Sequence, residues 1–440
     1  MTRVASVGNL AQKPSSIRWW VASGVILPVT FVMSLDRTAM TVAAPIIQSE
    51  HGFNLTEMSI ILTAFTWAYA IFQVPGGMLA KRYGPRLVLA LAGLWWSVFT
   101  FLTPYGSVFL GFVLIRILLG VGQAMDWPSS VLALQRWFPH RERSRANSML
   151  LAGLYLGSFI GTPIVAWFVE RLGWPSPFHI FAGIGAVLSL LWWWFVRDDP
   201  AQVRGVNAAE VELIRSDPGS EMEAQDNVGA AAFLRSGQFW AIGLQYGLLI
   251  LIQSFFTTWL PTYLVQARGL SFKDMGFVGA LPWGAMIIAV FGTGFLNDRV
   301  FTGWVSRKWL AVAGFVVAAV ALALGALTPG NAGMIIWMCV SLGAVGVVQV
   351  QVWAGCQDLG GRHSAAVTGF TNLCGNLTAA FGPIFTSLLV GIGGNWGLAL
   401  VIMAVAGLLG TVCWMFVHPE RPLDSAARVG GGVDISKGTS

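Results

Sequence analysis

Charge is what this chain has least of. Only 10% of its 440 residues are Asp, Glu, Lys or Arg, where a soluble domain carries roughly 25%. With 55% of the residues hydrophobic, a water-soluble globule of this length could not cover its own apolar surface. A soluble enzyme or binding module is excluded on that ground, and a bilayer is the solvent that fits. Cysteine is scarce too. Cys339, Cys356, Cys374 and Cys413 fall in or beside apolar runs, form no Cys-x-x-Cys pair and make no metal set, so they read as small core residues. No catalytic triad and no cluster with ligand spacing occurs, so no enzyme activity, metal or cofactor is expected.

A formal charge of +6 would suit a nucleic-acid binder, but the basic residues lie in short loops between apolar spans. That is the positive-inside pattern and not a binding patch. Residues 1–18 are polar, and the apolar run from Trp19 lacks a small-residue cleavage site. It is expected to be a first span and not a cleaved leader.

A spanning helix needs about 20 mostly apolar residues. Such runs lie near 19–47, 56–80, 86–103, 107–134, 145–169 and 177–196, and again near 239–266, 275–297, 307–328, 332–356, 364–391 and 396–417. The expectation is an all-α polytopic membrane protein of about twelve helices. It divides into a first six-helix half (1–196), a cytoplasmic linker (197–238), a second half (239–417) and a disordered cytoplasmic tail (418–440). Within the acidic linker, Asn207 and Glu210 have capping-box spacing ahead of Val211 and Ile214, so a short surface helix is expected there. With a cytoplasmic N-terminus, only Arg171, Arg268 and Lys273 fall in outer loops, and 21 of the 26 Lys and Arg lie on the cytoplasmic side. Both termini are therefore placed in the cytoplasm.

The halves repeat at one offset. Gly52-Phe-Asn54-Leu-Thr-Glu57-Met58 aligns with Gly269-Leu-Ser271-Phe-Lys-Asp274-Met275, 217 residues later, and the same offset carries Gly77-Met-Leu-Ala-Lys81-Arg82 onto Gly294-Phe-Leu-Asn-Asp298-Arg299. Asn54 and Ser271 are helix-capping types with an acid three residues on, so each opens a helix. Parallel six-helix repeats are transporter architecture, with the solute site between the halves near the midplane.

These residues carry a resemblance. Gly77-x-x-x-Lys81-Arg82-x-Gly84-x-Arg86 looks like the loop motif of the major facilitator superfamily, which has Asp where this chain has Lys81. Within it, the chain resembles the anion:cation symporter family, which includes importers of sugar acids and aromatic acids. The likeness rests on Leu35-Asp36-Arg37, on Trp67-Ala-Tyr69-Ala-Ile-Phe-Gln73-Val-Pro75-Gly76-Gly77, on Arg116-Ile-Leu-Leu-Gly120-Val-Gly-Gln123-Ala-Met-Asp126-Trp-Pro128, and on Gly369-Phe-Thr-Asn372-Leu-Cys-Gly375-Asn376. It implies the major facilitator fold and proton-coupled import of a small organic anion by a rocking of the halves, in a bacterial inner membrane and as a monomer. In the family the motif Asp helps lock the cytoplasmic gate. Lys81 and Arg82, with Asp298 and Arg299 in the second copy, are therefore the gating candidates.

A charge within a span costs at least ~2.5–3.5 kcal/mol at the helix centre, so each is a functional candidate. There are four: Asp36, Arg37, Arg116 and Asp126. At 1.5 Å per residue, Asp36 lies roughly 16 Å and Arg116 roughly 14 Å from the outer ends of their spans, so both helices offer charge at one level. Either an Asp36–Arg116 pair forms, or Arg37 and Arg116 together clasp a carboxylate. A static pair that only fixes packing is the competing structural reading. Arginine suits the anion because its planar fork gives a carboxylate two hydrogen bonds. Asp36 is the proton-carrying candidate. Burial favours its neutral acid and a nearby arginine its carboxylate, so an anion arriving at the arginine would release Asp36 to take a proton.

The bacterial sugar-acid branch has Glu seven residues after the arginine; this chain has Gln123, which does not titrate. Asp126, one turn further, either takes over as the second acid or is structural. Tyr69 is expected to hydrogen-bond substrate, Gln73 to pack, Asn376 and Trp353 to face the cavity, and Asn372 to serve equally well as interhelical glue. The Gly153-x-x-x-Gly157-x-x-x-Gly161 stripe reads as packing. Trp67, Trp127, Trp283 and Trp353 lie deep enough to stack on an aromatic acid, with core packing as the alternative. A facilitator or exporter of neutral or cationic solutes is the runner-up function; two arginines in one cavity argue against it.

Overall fold

The computed structural model describes residues 13–216, 236–300, 304–360 and 364–418. Twelve helices among them are long and apolar enough to cross a membrane. They are α1 (Ile17–His51), α2 (Leu55–Tyr83), α3 (Pro85–Tyr105), α4 (Phe109–Trp137), α5 (Arg141–Leu172), α6 (Ser176–Phe195), α7 (Gly237–Ala267), α8 (Phe272–Asn297), α9 (Arg307–Leu327), α10 (Asn331–Gly360), α11 (Val367–Gly393) and α12 (Trp396–Met415). The protein is a multi-pass membrane protein, and the ends differ from the apolar runs by a few residues. Caps and not hydrophobicity set those ends. Asn54 accepts the Glu57 amide at 2.8 Å while Glu57 accepts the Asn54 amide at 2.9 Å. At the repeat-equivalent place Ser271 Oγ accepts the Asp274 amide at 3.1 Å.

The repeat is visible in the packing. In the first half α1 packs on α5, α2 on α4 and α3 on α6; in the second α7 packs on α11, α8 on α10 and α9 on α12. Between halves the main contacts are α5 with α8 and α2 with α11, which exchange under the same shift of six helices. This is a pseudo-twofold arrangement of two six-helix halves. At the end of the bundle remote from the termini the halves are joined by hydrogen bonds from Gln266 to Gln48 and from Ser387 to Ser59, both at 3.1 Å. There α8 comes so near α5 that a Cβ on Gly276 would stand 2.5 Å from the Ala166 Cβ. At mid-span Tyr155 Oη donates to Gln349 at 3.3 Å. The glycine stripe of α5 lies against α1, where a Cβ on Gly157 would meet the Ser34 Cβ at 2.5 Å; its role is close packing within the first half.

The segment after α6 belongs to the first half and does not hang between the two. Asp198 accepts the Arg86 amide at 3.0 Å and pairs with Arg136 at 3.3 Å. The linker helix, Ala208–Arg215, is capped by Asn207 and puts Glu210, fully buried, against the start of α1. Glu210 accepts from the amides of Ile17 and Arg18, from Arg18 Nη1 at 2.9 Å and from the Ser15 hydroxyl, and Arg18 reaches on to Glu142 at 2.8 Å. Burial alone would push the Glu210 carboxyl up, but these hydrogen bonds from Ser15, Arg18 and Ile17 hold it below the usual carboxylate range. The rest of the expected linker, 217–235, and all but the first residue of the expected tail lie outside the described residues.

Candidate functional site

Neighbouring residues on a helix point about 100° apart, and α1 uses that to divide its two charges. Asp36, buried at 2% exposure, turns to α3, where Thr100 Oγ1 donates to it at 3.4 Å; its Oδ1 is buried without a hydrogen-bond partner. Arg37 turns into a central cavity and donates through Nε to Gln123 Oε1 at 3.0 Å. Gln123 thus keeps the accepting oxygen of the acid that the resemblance led one to expect, without its charge.

Helix α4 breaks at Met125, because Pro128 has no amide hydrogen to give back to the preceding turn; one segment ends at Ala124 and the next starts at Asp126. The break sets Asp126 at a helix start, where the aligned peptide dipoles favour a negative charge. Asp126 is fully buried, with Ser130 Oγ at 3.4 Å from Oδ1 and no partner on Oδ2. Arg116 lies in the upper segment, 3% exposed, with Nε and Nη1 buried and unpartnered. No ion pair joins Asp36 to Arg116 or Arg37 among the described residues. The direct Asp36–Arg116 pair is therefore absent, because Asp36 points at α3 while Arg116 points at the cavity.

The cavity has a volume of about 280 Å³ and lies between the halves. Arg37, Arg116 and Tyr69 line it from the first half, and Gln253, Trp283 and Asn376 from the second. Gln253 Oε1 is buried without a partner. Asp36, Asp126 and Gln123 stand behind the lining. Trp353 does not reach it; its ring leans on Tyr246 with centroids 5.0 Å apart. Trp67 meets Phe381 of the second half edge to face at 4.5 Å. Phe65 and Gln253 are among the lining residues that the sequence pattern did not single out. Phe65 carries a guanidinium on its ring from each arginine, Arg37 at 4.9 Å and Arg116 at 4.8 Å; its one signal was the four-residue spacing to Tyr69. Gln253 could have been flagged as an amide within an apolar run.

Of the gating candidates, Lys81 and Arg82 are exposed, and Arg82 lies over the Tyr83 ring at 5.2 Å. The basic residue of the motif that makes built contacts is Arg86, which stacks on Trp193 at 4.1 Å and donates to its carbonyl at 2.7 and 3.0 Å. Arg299 stacks on Phe295 at 4.1 Å; the Asp298 side chain lies outside the described ones.

Residues 26–383 match the Major Facilitator Superfamily. The chain belongs to that superfamily. It is accordingly a transporter, and its relatives carry anions and sugar acids, as expected of the anion:cation symporter family. One is "Probable anion transporter 4, chloroplastic" of Oryza sativa subsp. japonica, 30% identical over 89% of this chain and 67% of that protein. Another is the hexuronate transporter of Bacillus subtilis (strain 168), 29% identical over 88% of this chain and 91% of the relative. The probable galactarate/D-glucarate transporter of Escherichia coli (strain K12) is 27% identical over 94% and 96%. Among solved structures, the inward-open xylose transporter of E. coli superposes with a TM-score of 0.72 at 15% identity, covering 94% of this chain and 99% of that one. A bacterial homologue of the human lysosomal transporter Spinster, inward-facing and unoccupied, gives 0.72 at 18% identity over 95% and 98%. These two likenesses concern the fold.

Proposed function

We propose that the protein imports a small organic monoanion, a sugar acid or an aromatic carboxylate, together with protons, across a bacterial inner membrane with both termini in the cytoplasm. One observation carries this reading: Arg116 lines a cavity between the halves, 3% exposed and joined to no carboxylate by an ion pair among the described residues, and a guanidinium so placed favours a carboxylate, which takes charged hydrogen bonds from it. Arg37 supplies the second positive charge, while Tyr69, Gln123 and Asn376 complete the polar surround. Asp36 carries the coupled proton and Asp126 is the second acid. With the four charges in balance, an arriving carboxylate adds one buried negative charge, and a proton taken by Asp36 cancels it. The six-helix halves rock about this site as a monomer, with Lys81, Arg82, Asp298 and Arg299 at the cytoplasmic rim. The relatives named above support the anion; the unpaired acids behind the lining support the proton.

The test is a melting-temperature titration of the purified protein with D-glucuronate, 4-hydroxybenzoate and neutral D-glucose, since a ligand of the folded state raises the melting temperature by mass action. An acid-selective shift is expected, with affinity reduced about 100-fold in Arg116→Ala, or ~2.8 kcal/mol. A shift by glucose alone, or one by the acids that Arg116→Ala leaves intact, removes the anion site.

A further inference from the structure

Two arginines facing one small cavity repel each other, and neither is joined to a carboxylate by an ion pair among the described residues. What both of them contact is one phenyl ring. Phe65 is 5% exposed and lines the cavity, with the guanidinium carbons of Arg37 and Arg116 at 4.9 and 4.8 Å from its centroid. Tyr69, one turn on and nearly parallel to Phe65 at 25°, receives Arg37 as well at 4.8 Å. An aromatic face carries negative quadrupole density that attracts a cation, most strongly where water is excluded. The ring is also held in place: on α4, one turn from Arg116, a Cβ on Gly120 would stand 2.5 Å from the Phe65 carbonyl oxygen, so α2 and α4 are in backbone contact there.

We propose that Phe65 is the positioning residue of the anion site, a neutral stand-in for a counter-ion that holds both guanidiniums at one ring without taking up any of their N–H groups. The inference rests on the anion reading above. A carboxylate in place of Phe65 would hold the arginines equally well but would compete with the substrate for the same hydrogen bonds; a quadrupole attracts the charge without occupying the N–H groups. An aliphatic residue would fill the volume and leave the repulsion uncompensated, so the arginines would spread and the carboxylate would lose one of its two partners.

The experiment replaces Phe65 by 4-fluoro-, 3,5-difluoro- and 3,4,5-trifluorophenylalanine, which keep the shape of the ring while draining its face, and adds Phe65→Leu. Binding of D-glucuronate and of 4-hydroxybenzoate is measured by calorimetry, and the ligand-free melting temperature reports folding. The expected result is a stepwise rise in Kd with each fluorine, reaching about tenfold at three, at an unchanged melting temperature, with Phe65→Leu at or beyond the end of the series. A flat series in a protein that binds either acid overturns the inference and leaves the anion site standing. Failure of the wild-type chain to bind both acids removes the anion reading and this inference with it.

Discussion

The two halves share one architecture and divide the chemistry unequally. Among the described residues, every charge placed deep in a span belongs to the first half: Asp36, Arg116 and Asp126, which are buried, and Arg37, which is half-buried. In the second half Lys273, Asp274, Arg307, Lys308 and Asp358 all fall within a few residues of helix ends, and the deeply buried polar groups are amides and hydroxyls. The cleanest case is the pair of Asn297 and Gln351, which exchange hydrogen bonds at 2.9 and 3.3 Å between α8 and α10. A duplicated fold therefore holds its electrostatic machinery on one side and offers shape and neutral hydrogen bonds on the other. The arrangement would suit the proposed rocking of the halves. In that proposal the charges that must stay in register with each other move together in one half, and the second half meets the cavity with neutral side chains such as Gln253, Trp283 and Asn376.

The largest effect that would sharpen this contrast is the loss of Asp36. Asp36→Asn keeps the volume and the contact with Thr100 but cannot release a proton. Uptake driven by a pH gradient into proteoliposomes should fall to simple equilibration, while exchange of labelled for unlabelled substrate continues. Asp126→Asn should keep uphill uptake and weaken its dependence on the gradient. Uphill uptake that survives in Asp36→Asn would break the comparison, because coupling would then have to come from elsewhere.

Much of this was legible in the sequence, for definite reasons. The spans are long apolar runs, and the repeat shows in Asn54 and Ser271 because a helix start needs a side-chain acceptor at one fixed position. The intramembrane charges stand out because so few exist. Direction was not legible: sequence places Asp36 and Arg116 at equal depth, but which way each faces depends on rotation about the helix axis, and here they face different neighbours. Apart from its spacing to Tyr69, Phe65 could not be told from the other 27 phenylalanines, since its role comes from two arginines brought to its ring by different helices. For Trp353 depth was read correctly as inside the bundle, yet the ring is taken up by Tyr246.

The linker segment gives the next effect in size and asks where the first half ends. Glu210 and Arg18 form a buried pair, at 0% and 7% side-chain exposure, and removing Glu210 leaves Arg18 to Glu142 alone and takes the acceptor from the Ile17 and Arg18 amides. Glu210→Ala should therefore cost about 3 kcal/mol, read from denaturation of the purified protein, with the start of α1 more open to proteolysis. Because the folded protein holds Glu210 below the usual carboxylate range, its contribution is complete at neutral pH. It is lost as the pH falls below about 4, and the variant's stability should lack that acid-side decline. If Glu210→Ala is neutral, residues 197–216 act as a plain tether.

A smaller effect tests the neutral half. Gln351→Leu leaves Asn297 with a buried amide and should cost about 2 kcal/mol, whereas replacing both by Leu should recover most of it, with substrate affinity unchanged throughout. An affinity loss in either variant would mean that the second half positions substrate through this pair and that its neutrality is functional.

Trp353 should give the smallest effect. Its ring leans on Tyr246 at 5.0 Å, away from the cavity wall, so Phe at this position keeps an aromatic contact with Tyr246 and changes no group that faces the solute. Phe is smaller, and the loss should appear as roughly 1 kcal/mol of stability with less than about a twofold change in Kd for D-glucuronate or 4-hydroxybenzoate. The comparison between halves turns on this small number. A tenfold loss of 4-hydroxybenzoate binding in Trp353→Phe, with D-glucuronate unaffected, would mean that the second half reads the body of the substrate by stacking, and selectivity would then be divided from charge recognition along the same line that separates the two halves.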